Sequence, residues 1–221
     1  MNAERTYGSD GPMSAVEGGG SSVVFGQVMG LVAATLGSLT LGAYLGRNLG
    51  EGSSLIFFIV GFLSFAGLNF AREASGGAIM LLLGGGLTLG LGLGGGLVAF
   101  AEADPGVVWQ SAAATALFVA ALGSVGYLTS ADLSAGYRFL FLALLALIVY
   151  GLVSVFVSMP GSDVIYAVLG LGIFGGYTML DFNRMRRSGM EEAVQLAAGV
   201  FLDIVNVFLF FLRLFGNRGR G

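Results

Sequence analysis

The sequence predicts an all-α membrane protein built as a bundle of seven transmembrane helices, and three observations support this. Hydrophobic residues make up 56% of the 221-residue chain and charged residues only 10%, whereas about a quarter of the residues of a soluble domain are charged. Seven apolar runs follow one another, and each has roughly the 20 residues needed to cross the hydrocarbon core of a bilayer. The charged residues cluster between these runs, which is how a bilayer sorts a sequence.

The chain begins with a polar segment, residues 1–22, which we predict to be a disordered tail. This segment lacks the basic start of a cleavable signal peptide. We expect residues 23–216 to form a single transmembrane domain, followed by a short basic tail at residues 217–221. The seven apolar runs, in chain order, are residues 23–46, 53–71, 76–101, 107–129, 137–158, 164–182 and 193–215.

Each run is expected to be helical, because backbone groups in hydrocarbon must find hydrogen-bond partners within their own segment. The strand-like alternation of a β-barrel is absent from the sequence. The linkers are short, so we expect consecutive helices to be antiparallel neighbours. The third run is rich in glycine, and small residues let transmembrane helices approach closely. A nucleotide-binding glycine loop is the alternative, but no Lys-Ser/Thr follows these glycines and no strand precedes them.

The composition excludes several functional classes. The chain has no cysteine and no histidine, which rules out disulfides, thiolate nucleophiles, zinc sites of the Cys/His kind and a Ser-His relay. A formal net charge of −3 and the lack of a basic stripe argue against nucleic-acid binding. We expect no cofactor and no enzymatic activity. An aspartyl dyad would be the one catalyst left, and the Gly-Asp type of motif expected of such proteases is absent.

Arginine placement predicts the orientation, because cytoplasmic loops carry an excess of basic residues. All ten basic residues are arginine. Seven crossings put on one side Arg5, Arg72, Arg138, Arg184, Arg186 and Arg187, and on the other Arg47, Arg218 and Arg220, with Arg213 just inside the last run. We therefore predict a multi-pass protein of the cell membrane, with the N-terminus in the cytoplasm and the C-terminus outside.

Two carboxylates stand apart from the charges of the linkers. Asp203 has about a turn or more of apolar residues on both sides, and a charge in mid-bilayer costs at least ~2.5–3.5 kcal/mol. Asp181 ends the sixth run and, taken alone, fits an interfacial carboxylate paired with an arginine. Helical spacing gives the last run one polar stripe, which we expect to point into the bundle. Its members are Gln195, Gly199, Asp203, Asn206 and Arg213.

If Asp181 and Asp203 face each other, they cannot both ionise cheaply in a low-dielectric site. They would share a proton and titrate as a coupled pair, or together form a hard oxygen site that suits Ca²⁺. Arg72, which closes the second run, is a candidate latch for the pair. The alternative for Arg72 is an interfacial arginine that obeys the positive-inside rule. Arg213 is interpreted as an end-of-helix residue that reaches the interface.

The end of the chain resembles a known family. Residues 201–216, Phe-Leu-Asp-Ile-Val-Asn-Val-Phe-Leu-Phe-Phe-Leu-Arg-Leu-Phe-Gly, are similar to the C-terminal signature of the Bax inhibitor-1 family. The Tyr-x-x-x-Asp-x-Asn spacing of Tyr177, Asp181 and Asn183 also fits the end of that family's sixth helix. We predict that Tyr177 and Asn183, with Gln195, Asn206 and Arg213, form a polar face that supports the aspartate pair. The first five helices agree with the family in number and hydrophobicity. The chain is thereby identified as a prokaryotic member of this family.

The resemblance implies a seven-helix bundle with the C-terminal helix central. It implies a pH-dependent calcium leak that also modulates stress survival, with a pH-sensing aspartate pair that falls on Asp181 and Asp203. It implies an arginine of the second helix, Arg72, that locks the pair.

We therefore expect a passive leak for Ca²⁺ or another cation, gated by protonation of the pair. One alternative is a proton-coupled secondary transporter. Another is a non-transporting regulator that binds a second membrane protein, such as a protease.

Overall fold

The structure, a computed structural model, describes residues 13–68, 70, 71, 76–156 and 161–216. Within these residues the chain forms seven α-helices and no strand, which confirms the predicted all-α class. The helices are α1 (Met13–Gly46), α2 (Glu51–Gly67), α3 (Gly76–Ala103), α4 (Pro105–Leu128), α5 (Gly136–Phe156), α6 (Ser162–Met185) and α7 (Ala193–Gly216), and one 3-10 turn, Met190–Glu192, precedes α7.

Local chemistry explains two helix starts. The Asp104 side chain accepts a hydrogen bond of 2.8 Å from the backbone of Gly106, and Pro105 occupies the first turn of α4. Asp104 is therefore the N-cap of α4. Pro105 follows at a position where a backbone N–H would have no partner within the helix, so the N–H that proline lacks is not needed. Gly161, just before α6, has a φ of 77°, a left-handed conformation that a residue without Cβ adopts readily.

Six helices of the described chain are long and apolar enough to cross a membrane, namely α1 from Ser22 onward and α3 to α7. The exception is α2, whose 17 residues fall short of the roughly 20 that span the hydrocarbon core. The sequence predicted this helix to reach residue 71. It ends at Gly67 instead, because Phe70 and Ala71 form tight i→i−3 bonds to Gly67 and Leu68, at 3.0 and 3.3 Å.

The first helix begins within the predicted N-terminal tail. It begins at Met13, whereas composition led us to expect a disordered segment through residue 22. A helix that has already formed extends at the gain of one hydrogen bond for each residue fixed, so residues 13–22 continue the apolar helix that follows. The predicted tails at residues 1–12 and 217–221 lie outside the described residues.

The C-terminal helix occupies the centre of the bundle, as expected. It packs against α1, α3, α4 and α6, and 56% of its most apolar window is buried. The corresponding window of α5 is 6% buried, because α5 packs mainly on α6 at the edge. Asp203 of α7 is therefore placed inside the protein, not in lipid.

Glycine brings the backbones of α1 and α3 into contact, which confirms the packing interpretation of the glycine-rich third run. A Cβ on Gly90 would overlap the carbonyl oxygen of Leu39, and one on Gly42 would overlap that of Leu87. On the other side of α3, a Cβ on Gly92 would lie 2.7 Å from the backbone nitrogen of Phe58 in α2. Residues without side chains are what allow helices to approach this closely.

The two ends of the bundle differ in charge. One end carries the α4–α5 and α6–α7 connections with Arg138, Arg184, Arg186 and Arg187, and we refer to it as the arginine-rich end. The opposite end holds, among described residues, Arg47 and Arg213. The excess of arginine lies at the end that was predicted to face the cytoplasm. The cytoplasmic location of the N-terminus stays a prediction.

Candidate functional site

The two intramembrane aspartates lie on adjacent antiparallel helices. Asp181 precedes the end of α6 by four residues, about 6 Å of helix, and Asp203 follows the start of α7 by ten residues, about 15 Å. Helical side chains lean toward the N-terminus of their own helix. In this antiparallel pair Asp181 therefore leans deeper into the bundle and Asp203 leans back toward it. The two carboxylates come within electrostatic range of each other.

Asp181 is held by a residue of α5. Its side chain is buried, and the hydroxyl of Tyr137 donates a hydrogen bond of 2.6 Å to Oδ1. Its other oxygen, Oδ2, lies against Gly199 of α7, where a Cβ would overlap it. Gly199 sits one turn before Asp203, so the absence of a side chain there makes the space in which Asp181 approaches α7.

Asp203 is less well satisfied. It is 4% exposed, and no described residue offers a hydrogen bond to its Oδ2. Thr178 of α6 faces it, but the Thr178 hydroxyl also donates to the Phe174 carbonyl at 2.8 Å. Tyr177 lies within electrostatic range of both aspartates. Since a buried polar atom without a partner is costly, Oδ2 is the position where a proton or a cation would be held.

Asn183 does not belong to the polar face predicted for it. It lies two residues after Asp181, about 200° around the helix, and is 1% exposed. Its Nδ2 donates to the carbonyl oxygens of Gly126, Thr129 and Ala131 at 3.1, 2.8 and 3.2 Å. Its Oδ1 accepts from the Leu133 backbone at 3.2 Å and from the Arg187 guanidinium at 2.5 Å. Asn183 therefore fastens α6 to the end of α4 and to the α4–α5 connection.

Arg213 also lies away from the aspartates, at the opposite end of the bundle. Its guanidinium forms an ion pair with Asp163 at the start of α6 and lies over the ring of Tyr166, 4.8 Å from the centroid. Asn206 donates to the Leu202 carbonyl of its own helix at 2.8 Å. Gln195 has a buried Oε1 without a partner among the described residues. The candidate latch Arg72 lies outside the described residues.

The two carboxylates on their own hold four oxygens, fewer than the oxygen ligands of a bound Ca²⁺. Among the described residues no group of three or more His, Cys, Asp or Glu side chains converges, and Ca²⁺ takes 6–8 oxygen ligands. Two carboxylates with the hydroxyls of Tyr137 and Thr178 hold six oxygens, the lower end of that range. An ion held by the two carboxylates alone would keep part of its water shell, and a calcium site at Asp181 and Asp203 stays a prediction.

Sequence reasoning missed Tyr137 as a partner of Asp181. This residue is the first of the fifth apolar run, where an aromatic residue is ordinarily explained by the membrane interface. The available signal was topological, because the start of α5 and the end of α6 lie at the same end of an antiparallel bundle.

Comparison with known proteins gives one family and several relatives. The family model described as "Inhibitor of apoptosis-promoting Bax1" matches residues 22–220. An uncharacterized protein of Helicobacter pylori (strain J99) is 27% identical over 165 residues, covering 73% of this chain and 70% of the relative. An uncharacterized membrane protein of Streptococcus pyogenes serotype M1 is 26% identical, covering 70% of each chain. The inner membrane protein YbhL of Escherichia coli (strain K12) is 27% identical, covering 51% of this chain and 55% of the relative.

Proposed function

The chain belongs to the Bax inhibitor-1 family of membrane proteins, and on this premise we propose that it is a passive leak for Ca²⁺ or another cation, gated by protonation of the Asp181–Asp203 pair. The observation that carries the proposal is the buried Oδ2 of Asp203, which has no hydrogen-bond partner among the described residues and lies within electrostatic range of a second buried carboxylate.

The physical argument starts from the cost of charge inside a bilayer. An intramembrane carboxylate must be neutralised, paired or exposed to a water-filled cavity. Two carboxylates within range of each other repel when both are ionised, and a shared proton removes the repulsion. When the proton leaves, the two negative charges favour a divalent cation. Protonation and cation occupancy therefore compete for the same oxygens, which couples ion passage to pH.

The test is calcium flux into liposomes that contain the purified protein, measured across pH. Asp181→Asn and Asp203→Asn each keep the volume of the side chain and remove its titration. We expect both variants to lose the pH dependence of the flux. Asp163→Asn is the matched control, because Asp163 lies on the same helix as Asp181 but pairs with Arg213 at the opposite end. The control should keep the pH profile of the unmodified protein.

Other outcomes discriminate between the alternatives. Unchanged pH dependence in both pair variants contradicts the gating mechanism. Flux that occurs only with an opposing proton gradient favours a proton-coupled secondary transporter that uses the same aspartates. No flux, together with a membrane protein such as a protease that co-purifies, favours a non-transporting regulator. We propose no catalytic role for the chain.

A further inference from the structure

A small polar cavity lies beside the aspartate pair at the arginine-rich end. It has a volume of about 250 Å³ and is formed by the α4–α5 connection, the start of α5, the end of α6 and the α6–α7 connection. Its polar lining includes Asp132, Ser134, Tyr137, Arg184, Arg187 and Glu192. We refer to this cavity as the vestibule.

Ion pairs form two walls of the vestibule. Arg187 contacts Asp132 at 2.9 Å, and Arg184 contacts Glu192 at 2.5 Å. The two acidic and two basic residues cancel in formal charge, so the vestibule repels neither anions nor cations by net charge. Its charged side chains are partly exposed to solvent, and polar walls of this kind favour water inside a cavity.

Tyr137 contacts both the vestibule and the buried carboxylate of Asp181. Its side chain lines the vestibule, and its hydroxyl bonds to Oδ1 of Asp181 at 2.6 Å. Its ring also packs on Tyr177, with centroids 6.2 Å apart. Along α6, Asp181 lies three residues, about 4.5 Å, deeper in the bundle than Arg184 of the vestibule wall. Thr178 lies about another 4.5 Å deeper. Tyr137 therefore lies both in the wall of the vestibule and against Asp181.

We propose that the vestibule is the route by which water and protons reach the aspartate pair, and that Tyr137 is its gate residue. Rotation of the ring breaks a single side-chain hydrogen bond and joins the vestibule to Asp181. The inference rests on the proposed function in that it names the access route of the same site. It differs in what it requires, since water can reach the aspartates whether or not ions cross the membrane.

Cysteine labelling tests the gate directly, because the chain has no cysteine of its own. Ser134→Cys reports access to the mouth of the vestibule, and Thr178→Cys reports access beyond Tyr137. Each is placed in the full-length protein in liposomes and treated with a water-soluble, charged thiol reagent. With Tyr137 present we expect rapid labelling at position 134 and slow labelling at position 178.

Two substitutions of Tyr137 then open the route to different degrees. Tyr137→Ala removes both the ring and the bond to Asp181, and should raise the labelling rate at position 178 by more than the factor of about ten that one lost hydrogen bond to a charged group represents. Tyr137→Phe keeps the ring but removes the bond to Asp181, and should give an intermediate rate. Tyr150→Ala is the matched control, since it removes a ring from the same helix that stacks on Tyr166 away from the vestibule. It should leave both rates unchanged.

Three results overturn the gate. Position 178 labels rapidly with Tyr137 in place, or it stays protected in Tyr137→Ala, or it labels equally fast in Tyr150→Ala. The second would make Tyr137 an aromatic residue of the membrane interface. If Tyr137→Ala does not fold, Tyr137→Phe decides, and a rate equal to that of the unmodified background contradicts the proposal. Because labelling needs no ion flux, the expected pattern in a protein that transports nothing would reject the leak and keep the access route.

Discussion

Two buried polar side chains of this bundle, Asn183 and Asp203, differ in how fully their polar atoms are hydrogen-bonded. Asn183 uses both of its polar atoms, with three donated and two accepted hydrogen bonds. Asp203 keeps one buried oxygen without a partner among the described residues. A fully satisfied polar residue fixes a structure, whereas an unsatisfied one is the place where a protein accepts a proton or an ion. The comparison therefore separates a structural polar site from the one at which we propose that a proton or an ion binds.

The largest effect that this comparison predicts is the loss of Asn183. Asn183→Ala would leave the carbonyl oxygens of Gly126, Thr129 and Ala131 without this donor and remove these hydrogen bonds between α6 and the end of α4. We expect the free energy of unfolding in detergent to fall by about 3 kcal/mol or more. Asn206→Ala is the control, because it removes one bond within its own helix and should cost less than about 1 kcal/mol. Equal losses in both variants would contradict the structural role of Asn183.

Substitution of Asp203 should have the opposite effect on stability. Asp203→Asn removes a buried carboxylate without adding volume, and desolvating a charge is costly. We expect thermal unfolding at neutral pH to show equal or higher stability, by up to about 2 kcal/mol. A clear loss of stability would mean that the Asp203 carboxylate has a strong partner and would remove the contrast with Asn183.

The space between the two aspartates gives a third prediction. Gly199→Ala places a methyl group where Oδ2 of Asp181 lies, and we expect a cost of about 1–3 kcal/mol in unfolding free energy together with an altered pH profile of the flux. Gly172→Ala is the matched control, since nothing lies within 4 Å of its added Cβ and alanine favours helix. It should be neutral or slightly stabilising. A neutral Gly199→Ala would contradict the close approach of Asp181 to α7.

The smallest effect concerns Asp132, at the edge of the vestibule. Hydrogen bonds from Ser134, and then the nearby Arg187, hold the pKa of Asp132 below its ordinary value. A carboxyl whose pKa is lowered by folding stabilises the protein above its unfolded-state pKa of about 4, and this contribution is lost as pH falls through the folded-state pKa. Melting temperatures of Asp132→Asn and the unmodified protein should therefore differ by a constant amount between about pH 5 and 8, and converge below about pH 4. A difference that changes between pH 5 and 8 would show that Asp132 titrates in the range where gating is assayed.

The sequence predicted the helices well because apolar length decides where a chain crosses a bilayer. It also predicted that Asp181 and Asp203 lie inside the bundle, since 100° of rotation per residue defines the faces of one helix. Asn183 was assigned to the polar face from the family motif, and the structure instead gives it partners at the end of α4 and in the α4–α5 connection. A pattern within one helix cannot identify the neighbouring helix, and for that reason Tyr137 and the Arg213–Asp163 pair emerged only from the packed structure.

The glycine contacts between α1 and α3 have a consequence for assembly in the membrane. In lipid there is no hydrophobic driving force between helices. Their association therefore depends on packing and on the conformational entropy that is lost. Glycine has no side-chain rotamers to lose, and the backbone cost of glycine is met when each helix first forms. The contacts at Gly42 and Gly90 therefore cost almost no further conformational entropy when the two helices associate. The first three helices are able to associate as soon as α3 enters the bilayer, before α7 is synthesised to complete the core.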